Sequence, residues 1–367
     1  MQDLTKLRER LSQLDADLLG LVAERQRLSA EVAEAKRRTG HPTRDFGRER
    51  DVILGARARA EALGVSPALA EQLMKMLIRS SLTTQERAQV AAGGHGSGKR
   101  ALVIGGAGKM GRWFADYLSS QGFAVEVADP QAVGGGYPCL PDWRDSALDH
   151  DLLVVATPLG VTAGVLQELA LRRPPGLVFD IGSLKTPLRA GLESLRAAGV
   201  RTASLHPMFG PDTELLSGRH ILHIDLGDAD SLMQSQRLFS PTMAEQVTTG
   251  LDEHDRLIAF VLGLSHAVNI AFFTALAESG EAAPRLAGLS STTFDAQLDV
   301  AGRVAAESPA LYFEIQRMNE YGARSLEALR VAVHRLCAAV EQGDAAGFEQ
   351  MMLRGRAYVA GRSTLRP

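Results

Sequence analysis

The chain has 367 residues, enough for two or three domains, and 45% of them are apolar, enough for real cores. Its net charge of −3 supplies no basic field for nucleic acid. No window of eighteen or more residues reads as charge-free and apolar enough to cross a bilayer, so no membrane partner is expected.

The start, Met1-Gln2-Asp3-Leu4-Thr5-Lys6, leads into a charged amphipathic helix rather than a signal peptide. Cys139 and Cys337 stand far apart, which suits a reducing compartment better than a disulfide framework. A cytoplasmic protein is the expectation. Leu4, Leu7, Leu11, Leu14, Leu18, Leu21, Leu28 and Val32 recur on one helix face. The pattern stops near Gly40-His41-Pro42. A helix over about 3–38 would be roughly 50 Å long at ~1.5 Å per residue. That exceeds a compact monomeric domain, so its apolar seam predicts an intertwined homodimer. A second helix is predicted over about 44–63. A third starts at Ser66-Pro67, a cap followed by proline, and runs to about residue 85.

Residues 91–98, Ala-Ala-Gly-Gly-His-Gly-Ser-Gly, read as a flexible linker after a first domain over 1–90. Strands and helices then alternate over 99–250. Strands are predicted at 101–105, 124–129, 151–157, 176–181, 201–206 and 220–226, in a mostly parallel, doubly wound Rossmann-type sheet. From Asp252 onward strand signals vanish, and 251–367 reads as an all-helical domain whose apolar, Ala-rich helices suggest a second dimer interface.

Within the first leucine seam Arg25 takes a position where an apolar residue is due. It is either an arginine snorkelling at a dimer edge or part of an anion site. Arg8 lies beside the same seam and Lys36 near its far end. Asp45, Arg48 and Glu49 are spaced to share a face, and Ser81 and Gln85 stand one turn apart. Such cations, one carboxylate and two neutral polar groups suit a small hydroxyl-bearing dianion. With no nucleophile–base pair, the site would act by holding a conformer and stabilising developing charge.

On the stretches Leu7-Arg8-Glu9, Ala23-Glu24-Arg25, Glu34-Ala35-Lys36, Arg44-Asp45, Arg48-Glu49-Arg50-Asp51 and Ser81 through Gln85, the block resembles the all-helical chorismate mutases that open bifunctional aromatic-pathway enzymes. The resemblance implies rearrangement of chorismate to prephenate. It implies that Arg25 and Arg8 of the partner subunit bind the two carboxylates, and that Lys36 and Gln85 hydrogen-bond the ether oxygen. Glu49, with the backbone at Asp45, would hold the ring hydroxyl, and Arg48 and Ser81 would complete the pocket.

The second site begins at Gly106-x-Gly108-x-x-Gly111, between a buried strand and a helix, with Met110 inside the loop. Asp129 ends the next strand and suits the ribose hydroxyls of NAD; it is alternatively a turn residue before Pro130. Thr157, Ser183 and Lys185 follow at strand ends, Thr157 as a ligand group or a helix cap and Lys185 as a charge near substrate or nicotinamide. Leu205-His206-Pro207-Met208-Phe209-Gly210 aims a histidine at the crevice. The glycine loop, the Ser183-Leu184-Lys185 stretch and this string resemble prephenate dehydrogenase. So do Asp252-Glu253-His254-Asp255, and Gly302-Arg303 with Ser308-Pro309 and Tyr312.

This resemblance implies NAD-dependent oxidative decarboxylation of prephenate to 4-hydroxyphenylpyruvate. A neutral His206 would accept the C4-hydroxyl proton. Ser183 would hydrogen-bond the same hydroxyl, and Arg303 would hold a substrate carboxylate. Asp295 stands where the enteric bifunctional enzymes carry a second arginine, which leaves use of arogenate open. His266 reads as a buried structural histidine or one near an effector. The whole chain thus resembles the bifunctional chorismate mutase/prephenate dehydrogenases of tyrosine synthesis, which implies tyrosine as feedback inhibitor and no metal. The alternative is a dehydrogenase of the same fold whose helical block only senses a metabolite or dimerises.

Overall fold

The computed structural model describes residues 4–131 and 136–361. By compactness the chain divides into two units, residues 1–183 with 188–250, and residues 184–187 with 251–367.

The first unit opens with α1 (Leu4–Thr39), α2 (Phe46–Ala62) and α3 (Pro67–Ala92). Lys36, Arg37 and Arg38 fill the last turn of α1, where cations complement the helix dipole, and Gly40 stops it at φ +71°. Ser66 caps α3 through Leu69 N, with Pro67 in the first turn. Helix α3 packs against both α1 and α2. The leucine seam forms as expected, but this chain covers little of it. Leu7 is 42% exposed and Leu21 63%, and Ala33 is the one buried residue of α1.

The connection to the sheet is packed rather than loose. Helix α3 runs on to Ala92, beyond the predicted end. Gly96 N donates to Gln121 O (3.1 Å), and a Cβ on Gly94 or Gly96 would collide with Gln121 or Phe123. These glycines permit close approach; they do not confer slack.

The sheet follows in the order β3-β2-β1-β4-β5-β6-β7-β8. Its strands are β1 (Arg100–Ile104), β2 (Ala124–Ala128), β3 (Cys139–Leu140), β4 (Leu152–Val155), β5 (Leu177–Asp180), β6 (Thr202–Pro207), β7 (His220–Asp225) and β8 (Glu245–Gly250). All pairings are parallel except β6 with β7. Helices α4 (Lys109–Ser120), α5 (Leu159–Arg172), α6 (Arg189–Ala197) and α7 (Ala229–Phe239) complete the unit. Strands β3 and β8 were not predicted. The core is continuous, with Leu102, Val103, Leu153, Val154, Val178 and Phe179 at 0% exposure. Burying each such side chain stabilises by roughly 1.5–3 kcal/mol.

The second unit is helical: α8 (Leu251–Ile258), a π-helical stretch (Ala259–Leu264), α9 (Ser265–Glu278), α10 (Ala283–Ala287), α11 (Thr292–Ala305), α12 (Pro309–Met318), α13 (Gly322–Glu341) and α14 (Ala345–Gly361). It corrects one sequence expectation. The continuous helix Leu251–Glu278 is long and apolar enough, by length and composition, to cross a membrane. Its most apolar window is 22% buried within the chain, and Asn269 is the one buried residue of α9.

Candidate active sites

In the helical block, Arg25 on α1 donates to Ser81 Oγ (2.5 Å) and Leu77 O (2.8 Å) on α3. Burial lowers the pKa of this guanidinium, yet an arginine stays charged. One turn on, Gln85 Nε2 donates to Ser29 Oγ (2.8 Å), while the buried Gln85 Oε1 accepts no hydrogen bond. Ser81 and Gln85 are 6% and 8% exposed. A guanidinium and a primary amide therefore both lie between α1 and α3. Lys36 Nζ donates to Thr43 O (2.8 Å) at the turn into α2.

The remaining expected residues stand apart within this chain. Arg8 is exposed and lies seventeen residues before Arg25 on the same helix, about 25 Å along its axis. Asp45 caps α2 by accepting from Arg48 N (2.9 Å), and both residues are exposed. Asp45 is thus the N-cap of α2, and Arg48 and Glu49 follow at the start of the helix. Glu49 is half-buried and takes a bidentate hydrogen bond from Arg44 Nε (2.9 Å) and Nη2 (3.1 Å).

Two residues that sequence reasoning passed over join this block to the sheet. Arg44 also donates to Ser217 Oγ (2.7 Å). Glu86, 3% exposed, accepts from Leu216 N (2.7 Å) and Met243 N (2.5 Å). Burial raises the Glu86 pKa; the two backbone donors act against that rise without cancelling it.

In the sheet, the glycine turn follows β1 and opens α4. Gly105 adopts φ +89°, and a Cβ there would lie 2.6 Å from Ala156 O. A Cβ on Gly111 would collide with the Gly105 carbonyl oxygen, so α4 can start this close to the strand only with glycine. Asp129 accepts from Ala107 N (3.0 Å) and Gln131 N (2.9 Å), which ties the end of β2 to the turn. A cavity of about 620 Å³ opens where strand order reverses at β1 and β4, lined among others by Gly108, Asp129 and Thr157. Of the other expected cofactor residues, Gly106 and Gly111 shape the turn, and Met110 packs partly against the core. Thr157 Oγ1 lies 2.9 Å from Thr162 Oγ1, while Pro158 holds the cap position of α5. The backbone cradle fits a pyrophosphate, and a carboxylate beside it suits ribose hydroxyls.

His206 stands at the carboxyl end of β6, opposite Leu222 of β7, and is 4% exposed. Ser183 is half-buried, three residues past the end of β5.

In the second unit Lys185 is fully buried, where a charge near the ligand was expected. Its backbone N donates to Asp255 Oδ1 (2.9 Å) and Oδ2 (3.0 Å). Asp255, also fully buried, accepts from Thr186 N (2.7 Å), Thr186 Oγ1 (2.6 Å) and His254 Nδ1 (2.6 Å). Burial pushes the Asp255 carboxyl up; the hydrogen bonds from His254, Thr186 and Lys185 outweigh it and leave the pKa lowered. Arg303 is exposed on α11. Asp295 lies in the first turn of α11, where an acid complements the helix dipole. The His266 ring lies 4.1 Å from that of Tyr312, tilted by 34°, and burial lowers its pKa.

Three family matches cover these regions. Residues 7–86 match chorismate mutase type II, 125–223 the prephenate dehydrogenase nucleotide-binding domain, and 251–354 the prephenate dehydrogenase dimerization domain. The T-protein of Enterobacter agglomerans is 29% identical over 358 residues, covering 94% of this chain and 90% of that protein. The 4-amino-4-deoxyprephenate dehydrogenase of Streptomyces pristinaespiralis is 30% identical over 269 residues, covering 70% of this chain and 90% of that protein. The fold of A. aeolicus prephenate dehydrogenase, solved with hydroxyphenyl propionate and NAD+, covers 71% of this chain and 98% of its own at a TM-score of 0.55 and 18% identity. The chain belongs to the prephenate dehydrogenase family, in the T-protein form that joins a type II chorismate mutase to an NAD-dependent dehydrogenase.

Proposed function

We propose the following residue roles for the two reactions. Arg25 and Arg8 of the partner subunit hold the two carboxylates of chorismate, so the mutase works as a homodimer. Gln85 and Lys36 stabilise charge growing on the ether oxygen as the bond breaks. Glu49, with the backbone at Asp45, receives the ring hydroxyl, and Ser81 and Arg48 close the pocket. The observation that carries this reading is the convergence of Arg25, Ser81 and Gln85 between α1 and α3. Arg8 lies about 25 Å from Arg25 along the same helix, which supports its supply by a second chain.

In the second reaction His206 takes the proton of the C4 hydroxyl of prephenate while Ser183 hydrogen-bonds that oxygen. Held at the glycine turn, NAD+ would supply the acceptor for the C4 hydride. The ring carboxylate leaves as CO₂, the ring becomes aromatic, and the phenolic oxygen recovers a proton. Arg303 binds a substrate carboxylate, and its guanidinium suits that bidentate role. Gly106, Gly108 and Gly111 shape the pyrophosphate turn, with Met110 inside it, and Asp129 faces the ribose with Thr157 nearby. Lys185, whose backbone N–H is anchored on Asp255, places a positive charge near the substrate or the nicotinamide. Tyrosine, the end product of the route, serves as feedback inhibitor by analogy with the family. The protein works in the cytoplasm, in keeping with two unpaired cysteines, Cys139 and Cys337.

Initial rates with prephenate and arogenate, each with NAD+ and NADP+ and with or without tyrosine, test this reading. Prephenate with NAD+ should be fastest and tyrosine inhibitory. A preference for arogenate or NADP+ would reassign the substrate-binding or Asp129 roles.

A further inference from the structure

A cavity of about 390 Å³ lies between α2, α3 and residues 215–219, the segment that leads into β7. That volume is in the range of small-molecule sites, roughly 300–1,000 Å³. Its lining includes the apolar Ile53, Ile78, Leu82 and Leu215 together with four cations, Arg44, Lys75, Arg79 and Arg219. Arg44 is engaged with Glu49, the sole carboxylate of the lining, and Lys75 with Glu71. Arg79 and Arg219 make no side-chain hydrogen bond or ion pair among the described residues, so two guanidiniums line the space uncompensated. Ser217, already bound to Arg44, adds a hydroxyl.

We propose that this junction cavity binds a small ring-bearing carboxylate, the chemical class of the compounds that the two reactions consume and make. Guanidiniums recognise carboxylates bidentately, and the isoleucine and leucine side chains would cover the ring. The cavity faces α2 and the sheet segment; the Arg25–Ser81–Gln85 cluster faces α1 from a neighbouring side of α3. An anion seated at Arg79 and Arg219 would also attract Arg44. Arg44 bridges Glu49 and Ser217, so occupancy would change the setting of Glu49. That coupling rests on the reading of Glu49 as a mutase residue; the binding itself does not.

The test is calorimetric titration of the full-length, NAD-free protein with 4-hydroxyphenylpyruvate, for the wild type, Arg79→Ala, Arg219→Ala and the double variant. The wild type should bind one equivalent per chain more than the double variant, and each single variant should bind that equivalent about tenfold or more weakly. Inorganic phosphate should not displace it. Equal stoichiometry and affinity in wild type and double variant would overturn the site, and full displacement by phosphate would overturn recognition of the ring. In parallel, the probe should change chorismate turnover at least twofold in the wild type, with the response lost in the double variant. An unchanged response after loss of binding overturns the coupling through Glu49. A wild type that never consumes chorismate overturns the mutase reading instead, and calorimetry still decides the cavity.

Discussion

Strands β1 and β4 bury nearly every side chain, and the turn after β1 is held by backbone contacts that exclude a Cβ. Helix α1 carries its own row of leucines, yet Leu4, Leu11, Leu14, Leu18 and Leu28 remain between 52% and 61% exposed. The nucleotide cavity is lined by residues of one chain, whereas the seam beside the Arg25–Ser81–Gln85 cluster is largely uncovered among the described residues, which fits the proposed sharing of the mutase site between two chains. A site at strand ends inherits its geometry from a finished core. One between long helices inherits it from assembly.

Paired substitutions test that contrast most strongly. Arg25→Ala should lower chorismate turnover by about 10²–10³-fold and spare oxidation of supplied prephenate, since it removes one preorganised donor. His206→Asn should lower kcat for oxidation by ~10² or more and leave NAD+ binding and the mutase unchanged. Loss of both activities in either variant, with folding intact, would contradict two separate sites.

Asp255→Asn should cost about 3 kcal/mol or more in chemical denaturation at neutral pH, because a fully buried carboxylate loses its charge-assisted donors. Its pKa is lowered in the folded protein. Its contribution is therefore present above the ordinary carboxyl value near ~4 and lost as pH falls through the folded value. Wild type and variant should converge in stability at low pH; a constant gap would remove the carboxylate charge from the account.

Leu11→Glu with Leu18→Glu should lower chorismate turnover and leave oxidation of supplied prephenate unchanged, because the dimerization domain over 251–354 lies outside the seam. Retained mutase activity with the seam disrupted would break the contrast between the two sites. The smallest expected effect is Asp129→Ala. It loses the ribose acceptor and the bond to Ala107 N, and should raise KM for NAD+ about tenfold. An unchanged KM removes Asp129 from the cofactor site.

Legibility in the sequence followed range. The glycine turn, Asp129 and His206 lie on local strand-turn patterns, and the strands on either side appear where predicted. Strand β8, Glu-Gln-Val-Thr-Thr-Gly, is polar and mostly exposed at the sheet edge, so no buried run announced it. Glu86 and Arg44 find partners 130 and 173 residues away, and nothing local marks them. Gly94 and Gly96 had the composition of a loose linker, and only the neighbouring Gln121 and Phe123 show them to be packing residues. The backbone of Lys185 is held by a carboxylate, Asp255, that comes 70 residues later, so its burial had no local signal.

The most direct measurement is one assay: purified protein with chorismate and NAD+, followed at 340 nm and by product analysis. The account predicts NADH and 4-hydroxyphenylpyruvate in equal amounts, with no added mutase. NADH from supplied prephenate but none from chorismate would contradict it.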